Sequence, residues 1–232
     1  MDGDVELAAV AGLLADPGRA RMCMALMSGR RHPASELAQI AQVAPSTASG
    51  HLAKLLDGGL VKVEQRGRHR YYRLASAEVA GALEALSRLA PRTEVKSLRQ
   101  ARVARDLRLA RTCYDHFAGR LGISLTDRLA EIGVLQGDNL ELGPAGERCL
   151  ADLRIGVAEL RAARRPLTRG CLDWTERRDH LAGSVGAALA RRLFELKWVT
   201  RTSTRAVRVT DAGTAGLGYW IELHWPPVDL AA

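Results

Sequence analysis

Between Ala34 and Leu74 the order of patterns leaves few folds open: two short helical segments, then at once a basic hairpin. Ala34 to Ala41 and Pro45 to Asp57 are the helices. In the second, Ala48, Leu52, Leu55 and Leu56 share one face at helical spacing. That apolar stripe runs on to Leu60, and Gly58-Gly59 supplies the stop. Val61 to Gln65 and His69 to Leu74 alternate as strands across an Arg66-Gly67-Arg68 turn. With the stripe turned inward, Ser46, Thr47, Ser49, Gly50, His51 and Lys54 are left largely outward.

A helix of about 13 residues with small polar residues at its N-terminal end suits the major groove of duplex DNA. Hydroxyls there reach base edges or phosphates, and the free amides of the first turn attract a phosphate. Gly50 allows close approach and costs the helix on the order of 1 kcal/mol. In the hairpin, alternation sets Arg68, Arg70 and Tyr72 on one face and His69, Tyr71 and Arg73 on the other. One face is expected to pack down; the other, with Arg66 at the tip, meets the sugar-phosphate backbone or the minor groove. Lys62 to Arg73 hold five basic residues against one acid, Glu64, within a chain of net charge +8. Such a surface fits a polyanionic partner.

Around this segment the reading is mainly helical. Val5 to Leu14 is a short amphipathic helix, and Asp16-Pro17 starts another that runs to about Ser28. Ala77 to Leu89 is a helix stopped by Pro91. From Glu94 to Arg111 a charged stretch reads as a helical connector. Its Arg99, Arg102, Arg105, Arg108 and Arg111 recur every third residue and wrap a solvated surface. With four Trp, four Tyr and two Phe in 232 residues, the cores must rest on Leu, Ala and Val. The acidic start, Met1 to Glu6, has no apolar stretch of a signal peptide, and no segment approaches the roughly 20 apolar residues of a membrane span. The four cysteines are widely spaced, so reduced thiols and a cytoplasmic location are expected, without a membrane partner.

The C-terminal half repeats itself. Cys113-Tyr114-Asp115-His116 and the following Leu121-Gly122 resemble Cys171-Leu172-Asp173 with His180 to Gly186. Arg128-Leu129-Ala130-Glu131 matches Arg192-Leu193-Phe194-Glu195, and Leu140 to Gly146 matches Val207 to Gly213. Each copy reads as helix, helix, short hairpin, helix. The fold expected is therefore mainly α with small β-hairpins: a winged helix-turn-helix over 1–91, a connector over 92–111, and a pseudo-duplicated winged-helix-like helical domain over 112–232. Its repeats cover about 112–160 and 170–225 and share one core.

At Ser35-Glu36-Leu37-Ala38, Ser46 to Leu52, Gly58-Gly59-Leu60-Val61 and Arg66 to Leu74, the chain resembles the ArsR/SmtB family of winged-helix repressors. The resemblance spans roughly Val5 to Ala90, with Asp16 to Arg21 matching the start of that family's second helix. It implies a homodimer on a two-fold DNA operator that represses until an inducer binds. Two departures matter. Where metal-sensing members carry Cys-Val-Cys in the third helix, this chain has Glu36-Leu37-Ala38-Gln39-Ile40. Ala77 to Leu89 holds neither the Asp nor the His of members that bind zinc on the fifth helix. Sensing is thereby moved to the C-terminal half.

There the repeated Cys-x-Asp with His is the candidate sensor: Cys113, Asp115 and His116 in one copy, Cys171, Asp173 and His180 in the other. Thiolate, imidazole and carboxylate can bind a divalent metal ion such as zinc. A thiolate beside Arg111, Arg169 or Arg177 could instead answer an oxidant. The plain alternative is buried structural Cys with Asp capping a helix, as expected for Cys23 and Cys149 among apolar neighbours. Trp174, Trp198, Trp220 and Trp225 could line a ligand pocket or fill a core. Three functions follow: a regulator released by a metal, redox signal or small ligand; a constitutive DNA-binding regulator whose C-terminal half only dimerises; or an enzyme with an appended DNA-binding domain. No nucleophile elbow or phosphate-binding glycine loop supports the last.

Overall fold

The computed structural model describes residues 5–91 and 94–227. The first residues of the acidic start, and residue 92 beside the expected boundary, lie outside the described residues. The chain divides into two compact units, 1–86 and 87–232.

In the first unit, helices α1 (Leu7–Leu14), α2 (Pro17–Leu26), α3 (Ala34–Ala41), α4 (Pro45–Asp57) and most of α5 (Ala77–Leu89) surround strands β1 (His32–Pro33), β2 (Val61–Arg66) and β3 (His69–Leu74). The Asp16 carboxylate accepts from the Arg19 amide at 2.9 Å, and Pro17 sits at the first helical position, so α2 begins where the sequence places its cap. Gln42 turns left-handed (φ 59°) to end α3, and three residues on Pro45 opens α4. Strand order is β1-β3-β2, antiparallel, with Val61 opposite Leu74 and Arg66 opposite His69. The last pair leaves Gly67-Arg68 as a two-residue turn, and Gly67 takes the positive φ of 59° that its first position requires. Met22, Leu26, Leu37, Leu52, Leu55 and Leu74 are fully buried between these elements.

The second unit holds α6 (Leu98–Leu109), then β4 (Arg111–Cys113), β5 (His116–Ala118), α7 (Gly119–Glu131), β6 (Leu135–Gln136), β7 (Glu141–Leu142), α8 (Gly146–Asp152) and α9 (Val157–Arg161). After these come β8 (Arg169–Leu172), β9 (Asp179–Ala182), α10 (Gly183–Glu195), β10 (Val199–Arg201), β11 (Val207–Val209) and α11 (Asp211–Ile221). The order hairpin, helix, hairpin, helix thus occurs twice, with α9 as an extra element. This corrects the expected helix, helix, hairpin, helix: the first element of each half is a two-stranded hairpin. The connector is corrected as well. Helix α6 carries no buried residue yet packs on α7 and belongs to the second unit.

Both halves feed one core, in which Phe117, Leu121, Leu125, Leu129 and Leu150 join Leu181, Val185, Leu189, Leu193 and Leu217. Contacts recur in matched pairs. A Cβ on Gly122 would lie 2.6 Å from the Phe117 carbonyl and 3.3 Å from the His180 Cβ; on Gly186 it would lie 2.6 Å from the Leu181 carbonyl and 3.3 Å from the His116 Cβ. Arg128 Nε donates to the Ile221 carbonyl (2.6 Å), and Arg192 Nε to the Leu153 carbonyl (2.8 Å). Trp198, Trp220 and Trp225 pack on this core, the Trp220 indole donating to the Cys149 carbonyl at 2.9 Å. No helix among the described residues is long and apolar enough to cross a membrane.

Candidate nucleic-acid interface and candidate metal centre

Helix α4 buries Ala48, Leu52 and Leu55, and that placement exposes Ser46, Thr47, Ser49, Gly50 and Lys54. Nothing lies within 4 Å of where a Gly50 Cβ would stand, so the backbone there is open to approach. The Ser49 hydroxyl donates back to the Pro45 carbonyl at 3.0 Å and keeps lone pairs outward. His51 departs from the outward position that its helical register implies. Its Nε2 sits 3.3 Å from Asp16 Oδ1 with only 13% of the side chain exposed, so it fastens α4 to the start of α2. The Arg19 amide, opposed by desolvation and helped by His51, holds the Asp16 carboxyl below its ordinary value.

At the hairpin, Tyr72 and Leu74 face inward while Arg68 and Arg70, on the same alternation nearer the tip, extend past the core into solvent. Glu64 takes the two cations at the base of the hairpin: Arg73 Nε at 2.5 Å and Arg31 Nε at 2.6 Å. Hydrogen bonds from Arg73 and then Arg31 hold its carboxyl below the usual glutamate range. Lys62, Arg66, Arg68 and Arg70 are exposed and make no ion pair among the described residues, with Arg70 stacked 5.9 Å over the Tyr72 ring. The only acid of the hairpin is thus spent on its base, and the tip keeps its positive charge. The part of Arg31 was not legible, because 33 residues separate it from Glu64.

In the second unit the candidate sensor residues are brought together, and their arrangement separates ligands from supports. Cys113 stands directly opposite His116 in the β4–β5 register, and Cys171 opposite His180 in β8–β9. The two hairpins meet so that the sulfurs are 4.0 Å apart and the imidazole centroids 5.1 Å apart. One ligand atom from each of Cys113, His116, Cys171 and His180 lies within 4.8 Å of all the others. Cys113, His116 and His180 are buried and Cys171 half-buried. Among the described residues, Nε2 of both histidines is buried without a partner at hydrogen-bond geometry.

Asp115 and Asp173 stand behind the histidines. Asp115 Oδ1 is 3.1 Å from His116 Nδ1, and its other oxygen accepts from Arg165 at 2.5 Å. Asp173 Oδ2 is 3.4 Å from His180 Nδ1 and 2.7 Å from the Gly119 amide; Oδ1 accepts from Arg111 (2.8 Å) and Thr175 Oγ1 (2.6 Å). Burial raises the Asp173 carboxyl, but His180, Arg111 and Thr175 outweigh it and hold the acid well below its ordinary range. His180 is pushed up to about 9, burial being overcome by Asp173 and Cys171. Hydrogen bonding with Cys113, against burial and with help from both imidazoles, pulls the Cys171 thiol far down.

Arg111 is the clearest correction at residue level. Expected among the solvated arginines, it is fully buried in β4, paired with Asp173 and stacked 4.9 Å over Trp174, while Arg99, Arg102, Arg105 and Arg108 are exposed. Removing one partner of so buried a pair costs about 3–5 kcal/mol. Arg165, which sequence reasoning missed, holds Asp115; Arg169 and Arg177 are exposed.

A family model described as a helix-turn-helix domain matches residues 14–64, from the end of α1 into β2. The HTH-type transcriptional regulator YdfF of Bacillus subtilis is 45% identical over 210 residues, which is 89% of this chain and 93% of that protein. Among solved structures, the cadmium metal-sensor CMTR of Mycobacterium tuberculosis is 34% identical over 39% of this chain and 94% of its own, with a TM-score of 0.32. The homodimeric winged helix-turn-helix domain of Mb0332 from Mycobacterium bovis is 28% identical over 38% and 88%, also at 0.32.

Proposed function

Because this chain belongs to the HTH-type transcriptional regulators, we propose that its winged helix grips an operator in double-stranded DNA as a homodimer. The regulator represses until a signal received in the second unit releases it, and it carries out no catalysis. The observation that carries this reading is the joint exposure of the polar α4 face and of Lys62, Arg66, Arg68 and Arg70, whose charges no acid among the described residues neutralises. A short polar helix enters the groove while the hairpin tip reaches along the backbone.

Two-fold pairing is supported by apolar residues the first unit leaves in water. Helix α1 has no fully buried residue; Leu7 is 74% exposed, and Val10 and, on α5, Leu86 are exposed as well. Exposed apolar area of this kind marks an interface, and the ArsR/SmtB resemblance implies a homodimer. The Cys–His cluster favours a sensing second unit over one that only dimerises, since buried imidazole nitrogens without partners have no use in simple packing. A metal ion, an oxidant or a small ligand is the signal.

The test is binding of the purified dimer to the DNA upstream of its own gene, compared with random duplex, at several salt concentrations. A preference for the former, weakened after exposure to a metal ion, an oxidant or a ligand, is expected. No affinity for any duplex at low ionic strength overturns the reading.

A further inference from the structure

We propose that Cys113 Sγ, His116 Nε2, Cys171 Sγ and His180 Nε2 form a closed four-coordinate site for a zinc-class divalent ion, with Asp115 and Asp173 orienting the imidazoles. This deepens the sensing part of the function proposed above and rests on that reading only for its regulatory consequence.

The spacing suits the ion. Two thiolates about 2.3 Å from one tetrahedral zinc stand about 3.8 Å apart, and the two sulfurs here are separated by 4.0 Å. Two sulfurs and two imidazole nitrogens select a borderline, tetrahedral ion over magnesium or calcium, which prefer oxygen. Among the described residues neither buried Nε2 has a partner at hydrogen-bond geometry, and an ion would satisfy both. Each Nδ1 meanwhile faces a carboxylate, the arrangement that fixes the tautomer with Nε2 free to ligate.

Charge closes as well. Two thiolates and two carboxylates are matched by one divalent ion together with Arg111 and Arg165, which hold Asp173 and Asp115. Lacking the ion, the buried cluster has two negative charges too many unless its thiols or imidazoles carry protons. With four protein ligands no coordination position is left for water, so the site is built for structure or sensing rather than hydrolysis.

The ligands come as one Cys–His pair from each hairpin, so the ion ties β4–β5 to β8–β9. Asp173 bonds the first amide of α7, and Arg111 bonds the Leu107 carbonyl in the last turn of α6. Filling the site therefore fixes these helix ends through the same carboxylate and guanidinium.

The experiment is titration of the full-length, reduced, chelator-treated protein with Co(II), then Zn(II), in the absence of DNA. One Co(II) per chain is expected, with thiolate-to-cobalt charge-transfer bands and tetrahedral d–d bands that Zn(II) bleaches. Cys113→Ser and Cys171→Ser should lose stoichiometric binding, and Asp115→Asn should bind about 10–100-fold more weakly. Cys23→Ser and Cys149→Ser should bind as the parent does. If the ligand variants fail to fold, the cobalt spectrum of the parent chain decides alone. No binding by the reduced chain, a cobalt spectrum without thiolate bands, or stoichiometric binding by a folded Cys113→Ser, Cys171→Ser double variant overturns the site. If the ion binds with these bands but operator affinity, measured separately with and without it, is unchanged, the site stands and metal-driven release is overturned.

Discussion

Arg68 and Arg70 differ from Arg73 in one respect that decides their use: Glu64 neutralises Arg73 and leaves the other two to solvent. Each Arg-to-phosphate contact releases counterions, so Arg68→Ala or Arg70→Ala should weaken binding on all sequences alike and lower the slope of log affinity against log salt by about 1. Thr47→Ala should instead relax base preference and keep the salt slope. Fluorescence anisotropy on specific and random duplexes separates the two, and an unchanged slope in both arginine variants would remove the hairpin from the phosphates. Glu64 gives a pH test. Because its folded pKa lies below the ordinary 4.5, its grip on Arg73 and Arg31 is present above that value and lost as pH falls through the lower folded one. The Glu64 carboxyl followed by NMR should titrate below 4.5, and move back up towards it in Arg73→Ala.

At the level of elements, glycines on three helices separate packing from access. A Cβ on Gly122 (α7) or Gly186 (α10) would press on a backbone carbonyl at 2.6 Å, which cannot yield as a side-chain end could. Gly122→Ala and Gly186→Ala should each destabilise the second unit by about 1–3 kcal/mol, read from chemical denaturation. Gly50 on α4 meets open space. Gly50→Ala should therefore stabilise the helix by about 0.5–1 kcal/mol while weakening DNA binding, because in the proposed docking the methyl stands where the duplex comes close. If that substitution raised stability and left affinity untouched, this stretch of α4 would not approach the DNA. The bounds of α3, α4 and α5 were legible because apolar spacing, the Pro45 start and the Gly58-Gly59 stop all agree. The hairpins β4–β5 and β8–β9 were not. Their connections place Tyr114 and Arg177 at positive φ, where a glycine or asparagine would ordinarily signal the turn, so the segments read as helix.

For the whole molecule, the exposed apolar residues of α1 and α5 matter most, since a monomer gains nothing by leaving Leu7 and Leu86 in water. A Leu7→Asp, Leu86→Glu variant should sediment as a monomer at micromolar concentration while its circular dichroism stays that of a folded protein. Its operator affinity should fall much further than its affinity for a half-site. A variant that remained dimeric would move the interface elsewhere.

Local rules were enough for the DNA-facing half of this protein. Periodicity, caps and turn residues act within a few positions of one another, so the helix pair, the hairpin and the charged tip could be read from order and spacing alone. They also marked Cys113, Asp115, His116, Cys171, Asp173 and His180 as a set. Which of these converge on one point, and which stand behind, depends on contacts some 50 to 60 residues apart in sequence. Burial works across the same separation. It drew Arg111 out of a row of solvated arginines to meet Asp173, and turned His51 back on Asp16. A charge or an imidazole finds its partner only after the chain has closed, because the desolvation that makes the partner necessary does not exist until the core forms.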